Sequence, residues 1–162
     1  MADISTADLV DVHMASGRVQ SCEIQFRQFG GVTAFAGPIR TVKCHQDNAL
    51  VKKMLSEPGN NAVLVVDGGG SLRSALLGDL IGALAVKNGW AGVIIWGAVR
   101  DTSALKSLSV GIKAIGSNPQ RSSKAGAGDV DIPITFGNAT FVPGGWVYSD
   151  DDGVLSADGE LT

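Results

Sequence analysis

Few residues of this chain have the types and spacing that chemistry requires, and most of those few fail a closer test. The triple glycine Gly68 to Gly70 ends an apolar run as a phosphate-binding loop would, but the Lys-Ser or Lys-Thr pair that completes a Walker loop is missing. No GxGxxG follows the apolar run at Val63 to Val66 either, which excludes the nicotinamide fingerprint. His13 and His45 share no ligand spacing with each other or with Cys22 and Cys44, so zinc is not indicated, and no serine sits in a GxSxG elbow. Three charged residues remain: Asp79, Arg100 and Asp101. Asp79 opens an apolar helix, where a carboxylate can accept bonds from unpaired amides at the positive end of the helix dipole, and on its own it reads as a cap. Arg100 and Asp101 are adjacent at the end of an apolar strand and on their own read as a local ion pair or a turn.

The elements that must position these residues follow from hydrophobic spacing. Ser5 and Thr6 precede Leu9, Val10 and Val12, which predicts a helix over 6–14. Between Gly31 and Lys43 the apolar residues fall between Gly and Pro, which predicts short strands joined by a turn at Gly37-Pro38. Asp47 would cap a helix carrying Leu50, Val51, Met54 and Leu55 that stops at Pro58-Gly59. Ala62 to Val66 is a continuous apolar strand covered on both faces, ending at Asp67 to Gly70. Leu76, Leu77, Leu80, Ile81 and Leu84 repeat at helical spacing up to Asn88-Gly89. The strand Gly92 to Trp96 then delivers the chain to Arg100 and Asp101, a short helix carries Ala104, Leu105 and Leu108, and another strand spans Gly111 to Ile115.

Strand, helix, strand, helix, strand predicts parallel pairing with crossover helices and functional loops at the carboxyl ends of the strands. Both Asp67 to Gly70 and Val99 to Asp101 lie at such ends. From Val130 onwards the pattern changes to short alternating runs, Ile132 to Phe136, Thr140 to Val142 and Trp146 to Tyr148, which predict antiparallel strands. Ala125 to Asp129 reads as a surface loop, and the three tryptophans as core or subunit packing.

A length of 162 residues suits one domain, 1–162. Apolar residues make up 44% and charged residues only 18%, which predicts that partner subunits cover part of the surface. The net charge is −3 and the basic residues form no stripe, which argues against direct nucleic-acid binding. Two cysteines outside any CxxC spacing and a start without a basic and apolar leader predict a cytoplasmic setting. The longest apolar stretch, Ala91 to Val99, is far short of the roughly 20 residues of a spanning helix, so no membrane segment is expected.

Taken together, Asp79, twenty intervening residues, then Arg100-Asp101 resemble the D-x20-R-D hallmark of the 4-hydroxy-4-methyl-2-oxoglutarate/4-carboxy-4-hydroxy-2-oxoadipate aldolases and the related regulators of ribonuclease E activity, the RraA-like family. The likeness extends through Phe29-Gly-Gly31, Gly37-Pro-Ile39, Thr41-Val-Lys-Cys44, Asp47-Asn48, Val65-Val-Asp-Gly-Gly-Gly70 and Ile112-Lys-Ala114. The resemblance implies an α/β fold, a swivelling β/β/α domain or α/β/β sandwich, that assembles as a homotrimer and in some members as a pair of trimers. It implies a divalent cation, magnesium or manganese, on Asp101, with a small 2-oxo acid as substrate. Arg100 would hold a substrate oxygen, the amides of Gly78, Asp79, Leu80 and Ile81 would receive the substrate carboxylate, and Asp79 would orient water and shuttle protons. The implied reaction is aldol cleavage to pyruvate, with oxaloacetate decarboxylation as a side activity; the alternative is a regulator that docks on ribonuclease E. This chain has Ala104 where many aldolase members carry an acidic residue, and it stops at Thr162, short of the C-terminal extension of longer members.

Overall fold

The computed structural model describes residues 3–161. In chain order the elements are α1 (Thr6–His13), β1 (Val19–Ser21), β2 (Arg27–Gln28), β3 (Phe35–Lys43), α2 (Ala49–Leu55), β4 (Val63–Asp67), β5 (Ala75–Leu77), α3 (Asp79–Lys87), β6 (Gly92–Val99), α4 (Thr102–Leu105), β7 (Gly111–Ser117), β8 (Asp129–Val130), β9 (Ile134–Phe136), β10 (Ala139–Phe141), β11 (Trp146–Ser149) and β12 (Val154–Ala157). The main sheet runs β1-β12-β11-β3-β4-β6-β7-β2, with β5 attached to β6 and β8 to β3, and β9 and β10 form a separate hairpin.

The parallel strands β4-β6-β7 are the predicted ones, and the second half of β3 joins them as a fourth, with a helix on each crossover. The central strands β4 and β6 are apolar almost throughout because alternate residues enter different cores. Leu64, Val66, Val93 and Ile95 pack with Val51, Met54, Leu55, Ala85 and Leu105 beneath the helices. Val63, Val65 and Ile94 pack with Phe136, Phe141, Val147 and Val154 of the antiparallel layer. Helices, parallel strands and antiparallel strands therefore stack as three layers. The three antiparallel strands expected beyond Val130 are β9, β10 and β11; β12 was not anticipated, and β8 takes its first residue, Asp129, from the end of the segment expected to be a loop.

Two expectations are corrected. No turn interrupts Gly37-Pro38, because β3 runs unbroken through both residues. Its first half, Phe35 to Pro38, pairs antiparallel with β11, and its second half, Ile39 to Lys43, pairs parallel with β4. Pro38 lies at the changeover, where a missing N–H is tolerated, and Gly37 passes so close to the carbonyl of Asn61 that a side chain has no room. Leu76 and Leu77 belong to a strand rather than to the helix that follows. Pairing of Ala75 with Ala98 and of Leu77 with Val99 buries both leucines, and α3 begins only at Asp79.

The smaller expectations fare better. Ser5 caps α1 by accepting from the Asp8 amide at 3.2 Å, and Gly89 takes a left-handed φ of +77° behind α3. Trp90 is buried, while Trp96 is half-buried and stacks on Phe136 with ring centroids 5.3 Å apart. No described helix is long and apolar enough to cross a membrane.

Candidate active site

The two strands that end beside each other, β5 and β6, create the site. The Arg100 amide donates to the carbonyl of Leu77 at 2.9 Å, which holds the segment Gly78-Asp79 against the segment Arg100-Asp101. Asp101 takes a left-handed backbone conformation, φ 57° and ψ 42°, and stands at the N-cap position of α4 without bonding that helix through its side chain. Its carboxylate turns the other way, and Oδ2 accepts from the Asp79 amide at 3.1 Å. One of the unpaired amides that open α3 is thus capped from another element.

The cap expected of Asp79 is corrected accordingly. Asp79 is the first residue of α3, exposed, while Gly78 holds the N-cap position with no side chain to offer, and the capping carboxylate is that of Asp101. Of the local ion pair or turn expected of Arg100 and Asp101, the ion pair is not among the described ion pairs, while the backbone does change direction at Asp101 in its left-handed conformation. Arg100 is half-buried, and its Nη1 approaches the carbonyl of Pro119 at 3.4 Å. Gly78 is required by packing, since a Cβ there would lie 2.6 Å from Asp101 Oδ2 and 3.2 Å from Arg100 Cγ.

Gly78, Asp79, Leu80, Ile81, Arg100 and Asp101 all line one cleft of about 430 Å³ between α2 and α3. That volume suits a small organic acid. The opposite wall was not anticipated from the sequence: Lys52 and Lys53 project from α2, and Arg121 and Lys124 from the segment after β7. These cations are scattered along the chain and share no motif, so no local signal marks them. Asp47 was expected to cap α2, and its Oδ1 does accept from the Ala49 amide at 3.0 Å. Its larger role is elsewhere: Oδ2 also accepts from the amides of Ala125 and Gly126 at 2.9 and 3.1 Å. The buried Asp47 thereby ties the glycine-rich loop to α2. Burial opposes its ionisation, but these amide bonds win and hold its carboxyl below the usual range.

Asp101 offers a hard-cation ligand with one oxygen on an amide and the other without a protein partner among the described hydrogen bonds. Among the described residues no three His, Cys, Asp or Glu side chains gather to hold a metal. A donor set of one carboxylate fits magnesium or manganese better than zinc, because magnesium retains water and takes further oxygens from its substrate.

The sequence matches the profile of the family described as RraA-like, Aldolase/RraA, over residues 6–156. Among solved structures, the chain is similar to a protein named S-adenosylmethionine:2-dimethylmenaquinone methyltransferase from Geobacillus kaustophilus HTA426, with 43% identity, a TM-score of 0.95, and 98% of this chain and 97% of that chain covered. It is also similar to the RNA-processing inhibitor RraA from Thermus thermophilis, with 40% identity, a TM-score of 0.94, and coverage of 99% and 96%. A third likeness, at 27% identity and a TM-score of 0.79 with coverage of 96% and 80%, is to Streptomyces coelicolor RraAS2, an RNase ES inhibitor relative. Proteins named for different activities share this fold, so the residues in the cleft must carry the functional argument.

Proposed function

The chain belongs to the RraA-like family, which covers both aldolases and ribonuclease E inhibitors, and on that premise we propose that it is a divalent-metal-dependent carbon–carbon lyase. Its substrate would be 4-hydroxy-4-methyl-2-oxoglutarate, cleaved to two pyruvates, with oxaloacetate decarboxylation through the same enolate as a side activity. The observation that supports this most is the exposed Asp101 carboxylate, held in a left-handed turn against the start of α3 and next to the Arg100 guanidinium. A surface that needed only a helix cap would not require a strained aspartate reaching from another element.

In this reading Asp101 holds magnesium or manganese, which supplies Lewis-acid stabilisation of the negative charge that develops on a 2-oxo acid. Amides in the first turn of α3, at Leu80 and Ile81, receive the substrate's 1-carboxylate at the positive end of the helix. Arg100 holds the ketone oxygen by charge-assisted hydrogen bonds that strengthen as this oxygen becomes an enolate. Asp79 takes the proton of the 4-hydroxyl through a water. As that proton leaves, the bond between C3 and C4 breaks, C4 becomes the ketone of the first pyruvate, and the electron pair passes to C3. Protonation of C3 gives the second pyruvate. Oxaloacetate follows the same course, with carbon dioxide leaving in place of the first pyruvate.

The test is pyruvate release from both substrates with magnesium, with chelator, and with the folded variants Asp101→Asn and Arg100→Lys. Metal-dependent release that chelator abolishes, and that each variant lowers on the order of 100-fold, is the expected result. A folded, metal-supplied protein that releases no pyruvate from either substrate would refute the lyase.

The likeness to the Thermus inhibitor of RNA processing favours a second reading, a protein that binds ribonuclease E and restrains it. Ribonuclease E activity measured with added wild-type protein and with Asp101→Asn separates the two, since docking on a nuclease has no need of the Asp101 charge.

A further inference from the structure

Five cationic side chains, Lys52, Lys53, Arg100, Arg121 and Lys124, line the cleft against two carboxylates, Asp79 and Asp101. None of the five is in a described ion pair, although the whole chain carries a net charge of −3. Like charges gathered in one concave site repel each other, and an anion that enters relieves the repulsion. Arg100 and the start of α3 account for one end of such an anion. Lys52, Lys53, Arg121 and Lys124 stand on the other wall, and the mechanism above does not use them.

One buried carboxylate holds that wall together. Asp47 is only 3% exposed and accepts from the amides of Ala49, Ala125, Gly126 and Ala127 and from the Ser123 hydroxyl. The first of these bonds fixes the start of α2, which carries Lys52 and Lys53; the others flank and fix Lys124, while Arg121 is held beside Ala75 by a bridge of its own. Backbone bonds from Asn48 N to Ser123 O and from Ser123 N to Gln46 O, at 3.0 and 2.9 Å, complete the tie. At its two ends the segment has other ties, the bridge between Ala75 and Arg121, the Ser122 hydroxyl on the Ala75 carbonyl, and the pairing of β8 with β3. Between them residues 124–127 are exposed and have no described hydrogen bonds except those to Asp47, and Gly126 has a φ of +87°.

Resting on the lyase reading, we propose that Asp47 is a positioning residue that holds Lys124 in the cleft that Asp101 lines, where Lys124 and Arg121 form a second anion subsite for the distal carboxylate of a dicarboxylic 2-oxo acid. Replacing Asp47 by Asn puts an NH₂ group where amides donate, so the loop loses acceptors and gains a mismatch while the volume hardly changes.

Calorimetric titration of the magnesium-loaded protein with pyruvate and with 2-oxoglutarate tests the assignment, using wild type, Lys124→Met, Asp47→Asn and the double variant. Lys124→Met should weaken 2-oxoglutarate about 10-fold, as expected for a lost hydrogen bond between charged groups, and should leave pyruvate within about twofold. Asp47→Asn should show the same split and add little in the Lys124→Met background, since both act through one side chain. Equal losses for the two ligands, no loss in Lys124→Met, or fully additive effects would overturn the proposal. If Asp47→Asn does not fold, Lys124→Met and its restoration by Lys124→Arg decide alone. Oxaloacetate turnover by wild type is measured alongside: its absence with the ligand split intact removes the lyase and leaves the subsite standing.

Discussion

Asp101 sits where a non-glycine residue loses roughly 1–2 kcal/mol, in the left-handed region, and aspartate is one of the few side chains that visit it. Its carboxylate returns part of that cost by capping the Asp79 amide. Asp101→Asn keeps both the tolerance and an acceptor oxygen, whereas Asp101→Ala loses both. Urea unfolding should therefore place Asp101→Ala about 1–2 kcal/mol below Asp101→Asn, although both remove the charge; equal stabilities would mean that the cap contributes nothing. Gly78→Ala tests the same contact from the other side. A methyl 2.6 Å from Asp101 Oδ2 must displace the carboxylate, so under the proposed role of Asp101 manganese affinity by titration should fall at least about 10-fold, as for supports of metal ligands, while the circular dichroism stays unchanged. The trio Asp79, Arg100 and Asp101 was legible only through its family spacing. Taken one by one, the residues pointed to a cap by Asp79 and to a local ion pair or a turn at Arg100-Asp101, because contact across twenty-two positions leaves no trace in short-range pattern. Lys52, Lys53, Arg121 and Lys124 were illegible for the same reason.

At the scale of elements, the parallel strands were readable because burial on both faces leaves a continuous apolar run, as in Val63 to Val66 and Val93 to Ile95. The same property made Leu76 and Leu77 ambiguous, since an apolar pair four residues before another satisfies helical spacing and strand burial alike. Gly37-Pro38 misled differently: these residues usually mark turns, but here they mark the point at which β3 exchanges β11 for β4. That crossing strand also explains two other glycines. Phe35, 1% exposed, lies across Gly92 and Gly111, and a Cβ at either position would overlap its ring. Gly111→Ala should cost about 1–3 kcal/mol in urea unfolding through overpacking. In the Phe35→Leu background the added methyl should cost less, because the ring it strikes is gone; an unchanged penalty would place the strain in the backbone instead.

For the whole molecule, three layers bury groups whose ionisation then couples to folding. Burial raises the Cys44 thiol to about 12, with Asp47 and Asp67 adding to the effect, and burial likewise raises Cys22. A raised thiol value means that the folded chain holds its proton longer than the unfolded chain, whose thiol titrates near 8.5. The resulting stability is complete below about pH 8.5 and is lost as pH climbs through the folded value. Lys113 acts in the opposite direction. It is 2% exposed and donates to the carbonyls of Asp150 and Gly153, and desolvation lowers its value, so stability rises as pH passes from its folded value towards about 10.4. The two trends overlap in alkaline solution, and the wild-type curve alone cannot separate them. Their difference can, because Lys113 is common to wild type and to Cys44→Val, and subtracting the two unfolding free energies cancels its contribution. That difference should be flat up to about pH 8.5 and should then turn steadily against the wild type. Thiolate, the reactive form, is scarce in the fold, so a thiol reagent at pH 8 should find neither cysteine in native protein and both in denaturant. A native Cys44 that reacts at the rate of a free thiol, or a difference curve flat to pH 11, would mean that this core opens far more readily than its packing implies.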